Sequence, residues 1–153
     1  MQSLDDTDRR ILRALQREPE LSVAALAERA GLSASPCWRR IERMERDGVI
    51  LGRAVEVDFR ALGYEVQLSL RVRLDKTETG AFREFIAAAR QVPEVIAIQT
   101  LLGRVDLRLE VVARDLAHYQ ELLRTRLHDL PHIADIEALL VVSELKNDEW
   151  LPI

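Results

Sequence analysis

The sequence predicts an α+β protein in which an all-helical part precedes a part built from strands and helices. Three segments with the helical spacing of apolar residues lie before residue 50. From Glu65 onward the apolar spacing changes to every second residue, which is typical of strands. Beyond that point strand-like and helix-like segments follow the order β-α-β-β-α-β. A length of 153 residues allows two small domains of this kind.

The first predicted helix covers Leu4 to Arg17. Asp5 is its expected N-cap, because a carboxylate there accepts a hydrogen bond from a free N–H group of the first turn. Its apolar stripe consists of Ile11, Leu12 and Leu15. Pro19 interrupts the helical pattern, so the helix is expected to end before it.

Two further helices, joined by a tight turn, are predicted between Ser22 and Gly48. Ser22 is expected to cap the first of them, and Gly31 to end it in the left-handed conformation. The second helix is predicted to turn inward Cys37, Ile41 and Met44 and to turn outward Trp38, Arg39, Arg40, Arg43 and Arg46. A helix–glycine–helix unit with an arginine-bearing second helix is typical of a helix-turn-helix, whose second helix enters the major groove of DNA. The alternative is a plain helical hairpin with a solvated charged face, which the neighbouring acids favour.

Candidate DNA contacts lie on and beside this second helix. They are Ser33, Ser35, Pro36, Trp38, Arg39, Arg40, Arg43 and Arg53. Arginine pairs with guanine in a bidentate manner or holds phosphates, and serine at a helix start can contact phosphate. For Ser33 the expected role is that of a helix cap, with phosphate contact as the alternative. Trp38 has two roles of equal weight, a contact on the DNA surface or a rim residue of the core. Arg40 has the alternative of an ion pair with Glu28 or Glu45.

Residues 51–63 are predicted to form an extended wing and linker that follows a helix-turn-helix domain at residues 1–50. Val55 and Val57 alternate with acidic residues, as in a strand with one polar face. Gly52 is a candidate hairpin tip, with Arg53 exposed beside it.

Residues 64–146 are predicted to form a four-stranded sheet with two helices, the ferredoxin-like arrangement. The predicted elements are strand 65–74, helix 81–91, strands 95–102 and 107–112, helix 116–130 and strand 133–145. The inward residues expected on the two helices are Phe82, Phe85, Ile86 and Ala89, and then Leu116, Tyr119, Leu123, Leu127 and Leu130. The last strand is apolar on both sides around Leu139 to Val142, so a second copy of the chain is its expected partner. Residues 147–153 form a C-terminal tail.

Charge and composition restrict the function classes. The net charge is −4, and residues 1–60 hold 11 arginines and 11 acids, so one face must supply any DNA-binding potential. No apolar run approaches the length of a membrane span, and the start MQSLDDTDRR has no apolar signal region. These features predict a cytoplasmic protein without a membrane partner. The single cysteine, Cys37, excludes an internal disulfide and is expected to be structural, with a thiol sensor as the alternative.

No pattern typical of catalysis or of metal binding is found in the sequence. His128 and His132 have the spacing of a helical metal pair, but Pro131 lies between them, and His118 lies further upstream. A serine–histidine–aspartate set, a phosphate loop and a cysteine pair are all missing. The sequence therefore predicts a protein that is not an enzyme and holds neither a cofactor nor a metal.

These segments together resemble the leucine-responsive/asparagine-type (Lrp/AsnC, feast/famine) family of bacterial and archaeal transcription regulators. The opening helix of that family is similar to LDDTDRRILRALQRE. Its helix-turn-helix is similar to GLSASPCWRRIERMERDGVILG, including Ser35-Pro36-Cys37, Arg40, Asp47-Gly48 and Ile50. Its amino-acid-sensing domain is similar to the second half of the chain, with a Gly103-x-x-Asp106 turn and a closing Lys146…Leu151-Pro152-Ile153.

The resemblance implies a sequence-specific regulator that binds double-stranded operator or promoter DNA, dimerises, and assembles dimers into octamers or larger rings. It also implies a small effector, usually an amino acid, bound near the glycine–aspartate turn between dimers. The implied effector residues are Leu102, Gly103, Arg104, Val105 and Asp106. Asp106 would bind the amino group of the effector, or as the alternative would bond to backbone amides of the turn.

Three other functions remain open at this point. Siroheme decarboxylases resemble the family in both domains, and would need tetrapyrrole-facing histidines and arginines on the sensor sheet. A sensing or oligomerisation module would bind an effector without salt-dependent affinity for DNA. A regulator without an effector is suggested by Leu107, where the family often has an aromatic residue, and by Ala138, where it often has threonine.

Overall fold

The computed structural model describes residues 3–146 and 151–153, and the chain divides into two compact units. The first unit runs to Glu56 and includes the described part of the segment Lys146–Ile153. The second unit is Val57–Leu145. No helix in the described ranges is long and apolar enough to cross a membrane.

Three helices form the first unit: α1 (Asp6–Arg17), α2 (Val23–Ala30) and α3 (Ala34–Arg46). The predicted caps of the first two are confirmed. The Asp5 carboxylate accepts from the Asp8 N–H at 2.8 Å and the Asp8 carboxylate accepts from the Asp5 N–H at 3.1 Å, a reciprocal capping box. The Ser22 hydroxyl accepts from the Ala25 N–H, and Gly31 ends α2 with φ +70°, a conformation that glycine adopts at little cost.

One apolar core holds these three helices together. Its buried members are Ile11, Leu12, Ala14, Leu26, Ala27, Ala30, Cys37, Ile41 and Met44. The predicted inward stripe of α3 is thus confirmed. Each large buried side chain contributes about 1.5–3 kcal/mol relative to an exposed one, so this core fixes the orientation of α3.

The described end of the chain packs against α1 in the same unit. The Gln16 amide oxygen accepts from the Leu151 N–H at 2.7 Å, and the Gln16 amide nitrogen donates to the Leu151 carbonyl at 3.4 Å. Arg13 donates to the Ile153 carbonyl, and the Ile153 side chain packs on the core. Residues 147–150 of the predicted tail lie outside the described residues.

The second unit contains β1 (Val66–Leu74), α4 (Ala81–Ala89), β2 (Val95–Thr100), β3 (Leu107–Ala113), α5 (Leu116–Leu122) and β4 (Ile133–Leu140). The strands form one antiparallel sheet in the order β2-β3-β1-β4. This order confirms the predicted ferredoxin-like arrangement, in which the first and third strands occupy the centre.

The register of β1 and β3 fixes which face of the sheet meets the helices. Leu70 pairs with Leu109 and lies over the core, while the neighbouring Arg71 pairs with Arg108 on the opposite face. The buried core consists of Leu68, Leu70, Val72, Leu74, Phe85, Ala89, Val92, Leu107, Leu109, Val111, Leu122, Leu127 and Leu130. The alternation of β1 therefore places its apolar residues under α4 and α5 and its arginines outside.

The second helix of this unit differs from the prediction. The α-helix ends at Leu122, and Leu123–Leu127 form a π-helical turn in which the His128 N–H donates to the Leu123 carbonyl. Leu122 and Leu127 are both buried, five residues apart, a spacing that the wider π-turn brings nearer to one face than a regular α-helix does. The prediction that Leu116 points inward is also wrong, because this first residue of α5 is exposed.

Two extended segments also differ from the prediction. Residues 51–58 form no strand, so the hairpin expected around Gly52 is not present; nearly every side chain there is exposed and no partner strand pairs with it. The strand β4 ends at Leu140 rather than at residue 145.

The prediction that Phe82 points inward is also wrong. Its side chain has 37% of its surface exposed, and the centre of its ring lies 5.8 Å from the Lys76 ammonium.

Candidate nucleic-acid interface and effector loop

The exposed face of α3 begins at the first turn of the helix. Ser35, Trp38, Arg39 and Glu42 are exposed and follow the spacing i, i+3, i+4, i+7, which places them on one side. Trp38 has 47% of its surface exposed and is not a member of the core. Arg39 is exposed and forms no ion pair with any described residue. This face brings together an apolar ring, a hydroxyl, a guanidinium without an ion pair among the described residues and, one turn further on, the carboxylate of Glu42.

The start of α3 departs from the expected cap. Ser33 has the extended backbone of an N-cap, but its hydroxyl makes no capping hydrogen bond. The prediction that the Ser33 hydroxyl caps the helix is therefore wrong. Pro36 lies half-buried in the first turn, where its missing N–H costs little. The serine hydroxyls of this turn are exposed beside free N–H groups, an arrangement that suits an anion.

Arg40 and Arg43 point toward the start of α1 rather than outward. The Arg40 guanidinium lies 2.8 Å from the Asp8 carboxylate and 2.7 Å from that of Asp5. Arg43 lies 2.5 Å from the other oxygen of Asp8. The proposed ion pair of Arg40 thus exists, but with Asp5 and Asp8 instead of the expected Glu28 or Glu45.

The buried ion pairs of Asp8 with Arg40 and Arg43 are the feature of this surface that sequence reasoning missed. Asp8 has no exposed surface, although aspartate is rarely buried without a partner. A signal was present, because Asp8 lies three and four residues before Ile11 and Leu12 and so shares the buried face of α1. A charged residue on such a face indicates an opposite charge on the helix packed against it.

The same cluster of charges lowers the pKa of the Asp5 carboxylate. The hydrogen bond from the Asp8 N–H, and then the Arg40 guanidinium, lower its pKa from the ordinary 3.8 to about 2. The pKa of Arg40 is raised in return, first by Asp5 and then by Asp8. Since Asp5 is stabilised as an anion in the folded chain, its contribution to stability is present above about pH 4 and is lost as the pH falls toward 2.

We therefore expect the stabilising effect of the Asp5 charge to vanish in acid. Asn keeps the cap but not the charge, so Asp5→Asn should lower Tm near pH 6 and the difference from the native chain should shrink between about pH 4 and pH 2. Asp6→Asn, in the same helical turn, controls for the change in net charge. Thermal unfolding followed by circular dichroism measures both, and a Tm difference that is equal at both ends of this range would contradict the assignment.

The remaining residues of this unit have other partners. The Arg53 guanidinium donates to the Pro19 carbonyl at 2.8 Å, so its predicted DNA contact would have to replace this bond. Cys37 is fully buried, and this burial raises the pKa of its thiol. A thiol sensor needs an accessible thiolate, so the structural role expected for Cys37 is the one that this geometry favours.

The loop between β2 and β3 contains the predicted effector residues. Leu102, Gly103 and Arg104 are exposed and Val105 is half-buried. The loop is closed by backbone bonds from the Leu101 N–H to the Asp106 carbonyl at 2.8 Å and from the Asp106 N–H to the Val72 carbonyl at 3.0 Å.

Asp106 points away from the exposed part of this loop. Its carboxylate accepts from the Leu74 N–H at 3.0 Å and lies 2.6 Å from the Lys76 ammonium. The Lys76 ammonium and, after it, the Leu74 N–H hold the pKa of Asp106 below its usual range, although burial opposes them. The side chain therefore fixes the loop to the end of β1, and direct contact of Asp106 with an effector stays a prediction.

The outer face of the sheet is charged and internally paired. Arg71 lies 3.5 Å from Glu137, and Arg73 lies 3.9 Å from Asp135. Arg108 pairs with Glu110 on the same face. A tetrapyrrole site would need arginines free to bind carboxylates, and each of these is already opposite an acid. Among the described residues no group of three or more histidine, cysteine or acidic side chains is placed to hold a metal ion.

Comparison with known proteins assigns both halves of the chain. Residues 4–50 match the family described as winged helix-turn-helix DNA-binding, and residues 67–151 match the Lrp/AsnC ligand binding domain. The glutamate uptake regulatory protein of Zymomonas mobilis is 31% identical over 100% of this chain and 93% of the relative. The DNA-binding transcriptional activator DecR of Escherichia coli K12 is 27% identical over 98% of this chain and 99% of the relative.

A solved structure supports the same comparison at the level of the fold. The transcriptional regulator NMB0573 from Neisseria meningitidis, in complex with L-Met, superposes with a TM-score of 0.92 at 30% identity. The match covers 98% of this chain and 97% of that one. The match therefore includes both the helical half and the sheet half of the chain.

Proposed function

This chain belongs to the Lrp/AsnC family of DNA-binding transcriptional regulators, and from that premise we propose that an amino acid controls its affinity for operator or promoter DNA. The observation that carries the proposal is the pairing of a helix-turn-helix with a ligand-binding domain of this family in one chain. The likeness to a regulator solved with L-Met supports an amino acid as the class of effector. The relatives named above are regulators, and we propose no catalytic role and no cofactor.

The proposed DNA-binding head is residues 1–50, with α3 in the major groove. Arg39 is the proposed base-reading residue, since its guanidinium is exposed and can form a bidentate pair with guanine. Ser33, Ser35 and Pro36 at the helix start are proposed to approach the phosphate backbone, and Trp38 to make van der Waals contact beside them. Arg53 in the linker 51–63 would contribute one further phosphate contact once it leaves the Pro19 carbonyl.

The proposed sensor is residues 64–146, with the effector at Leu102, Gly103, Arg104, Val105 and Asp106. The exposed backbone and guanidinium of this loop can receive a carboxylate, while Asp106 keeps the loop in place through Leu74 and Lys76. Residues 147–153 are proposed as a C-terminal tail that follows the sensor. We propose a cytoplasmic location, since the proposed partner is operator or promoter DNA.

We also propose a homodimer that can assemble further, to an octamer or a similar ring. Exposed apolar side chains lie at the end of β4 and beyond it: Leu140, Val142 and Leu145. A second copy of the chain would cover them. A two-fold dimer would also present two α3 helices to the two halves of a palindromic site.

The effector proposal is tested by titrating amino acids against the DNA complex. Fluorescence anisotropy with a fragment from upstream of the protein's own gene is measured with L-Met and then with a mixture of the amino acids. A shift in DNA affinity, together with a change in mass by light scattering, is expected if the sensor couples ligand to assembly. DNA binding that no amino acid changes would overturn the effector part of the proposal and leave the DNA-binding part intact.

Asp106→Asn provides a sharper version of that test. The substitution removes the charge that holds Lys76, and a hydrogen bond to a charged group is worth about 1.5–3 kcal/mol, so the effector concentration needed should rise about tenfold or more. DNA affinity without effector should stay at the native value. The control is Asp129→Asn, an exposed acid with the same charge change, which should leave the response unaltered.

A further inference from the structure

Helix α3 shares a cluster of paired charges with the first turn of α1 and its N-cap. Asp8 has no exposed surface, and its two carboxylate oxygens bind Arg40 at 2.8 Å and Arg43 at 2.5 Å. Arg40 also holds Asp5 at 2.7 Å. Two acids and two arginines therefore balance each other inside the DNA-binding unit, before any nucleic acid is bound.

This balance decides which arginines of α3 can bind phosphate. The side chains of Arg40 and Arg43 are only 28% and 25% exposed, and each lies within 3 Å of a carboxylate oxygen. A phosphate that took both arginines would leave Asp8 as a buried carboxylate without a charged partner, which is strongly unfavourable. Arg39 lies on the exposed face and forms no ion pair with any described residue.

We propose that Asp8 is a specificity-determining positioning residue: by pairing with Arg40 and Arg43 it withholds their charges from the DNA backbone. This inference rests on the proposed DNA-binding role of α3. Sequence-independent attraction to DNA grows with the number of phosphates that a protein neutralises. With two arginines withheld, that attraction stays low, and recognition depends on the exposed face with Ser35, Trp38 and Arg39.

The test is to remove the Asp8 charge without disturbing the helix, which releases Arg43 while Arg40 keeps Asp5 as a partner. Asp8→Asn keeps the shape of the side chain and its ability to accept from the Asp5 N–H, but it removes the charge that neutralises Arg40 and Arg43. Asp6→Asn changes the net charge by the same amount in the same helical turn and touches neither arginine. Binding of the full chain to a labelled random-sequence duplex is measured by anisotropy across a range of salt, with circular dichroism as the check on folding.

The expected result is tighter and more salt-dependent binding by Asp8→Asn. Each additional phosphate contact steepens the plot of log K against log salt by about 0.9, so a fourfold fall in salt should strengthen binding about three- to fourfold more than in the native chain. Asp6→Asn should keep the native slope. A purely structural role for Asp8 would produce weaker binding, because a disturbed α3 cannot gain contacts.

Two results would overturn the inference in different ways. Equal slopes for Asp8→Asn and Asp6→Asn would show that Asp8 withholds nothing, even though the native chain binds DNA. No binding of the native chain to any duplex at low salt would overturn the proposed function itself. If Asp8→Asn fails to fold, Arg43→Gln takes its place, because it leaves Asp8 paired with Arg40. The inference predicts the native slope for this variant, and a slope smaller by about 0.9 would show that Arg43 already binds phosphate and would reject the inference.

Discussion

Replacement of Arg39 by alanine is expected to weaken binding to the operator about 30-fold or more and to leave the fold unchanged. A bidentate arginine–guanine pair discriminates by about 1–3 kcal/mol, and a two-fold dimer would place the substitution in both half-sites. Arg39 is exposed and forms no ion pair with any described residue, so its removal leaves no buried charge behind. Anisotropy with the upstream fragment and with a shuffled duplex measures the loss and its dependence on sequence.

The control for this prediction is Arg46→Ala. Arg46 is also exposed on α3, but it lies in the last turn, far from the start of the helix that enters the groove. Its loss should reduce affinity for both duplexes by a similar and smaller factor, as expected for a distant phosphate contact. If Arg39→Ala and Arg46→Ala weakened both duplexes equally, Arg39 would not be a base-reading residue.

Replacement of Phe85 by alanine is expected to destabilise the sensor half by about 3–5 kcal/mol. Phe85 has no exposed surface and lies at the centre of the core between α4 and the sheet. The DNA-binding unit has a separate core with no shared residues, so it should keep its own unfolding transition. Scanning calorimetry should then record one transition that moves to lower temperature and one that does not.

Two further variants make this prediction specific. Ile41→Ala removes a buried side chain from the other core, so it should lower the second transition and spare the first. Phe82→Ala, on the same helix as Phe85, removes a ring that is 37% exposed and should change Tm much less. A single transition that shifts as a whole in every variant would contradict the proposed division into independent units.

Features determined by neighbouring residues could be predicted from the sequence. The N-caps Asp5 and Ser22, the left-handed end at Gly31 and the alternation along β1 depend on a few residues each, and all of them are present. The order of strands in the sheet also followed from the order of the segments, because the ferredoxin-like arrangement pairs them in only one common way.

Features determined by contacts between distant segments could not be predicted in the same way. The π-turn at Leu123–Leu127 arises because both Leu122 and Leu127 must reach one core, which helical periodicity alone does not indicate. The alternation of Val55 and Val57 predicted a strand, but a strand needs a partner, and none of the described residues provides one.

The candidate site shows the same division. The exposure of Trp38 and Arg39 follows from the position of each residue on an amphipathic helix. Arg40 and Arg43 are drawn into ion pairs by Asp8, which lies 32 and 35 positions earlier in the chain. Four arginines on one helix therefore looked alike in the sequence, whereas packing separates them into paired and exposed ones.

The most direct test of the central claim is the DNA affinity of the intact chain at two salt concentrations. The fragment upstream of its own gene and a shuffled duplex of the same composition are compared by fluorescence anisotropy, at about 50 and about 200 mM salt. We expect the native chain to bind the upstream fragment more tightly than the shuffled duplex, the binding to weaken with salt, and the preference to be lost in Arg39→Ala. Equal binding to both duplexes by the native chain, at both salt concentrations and over neighbouring upstream fragments as well, would contradict the claim.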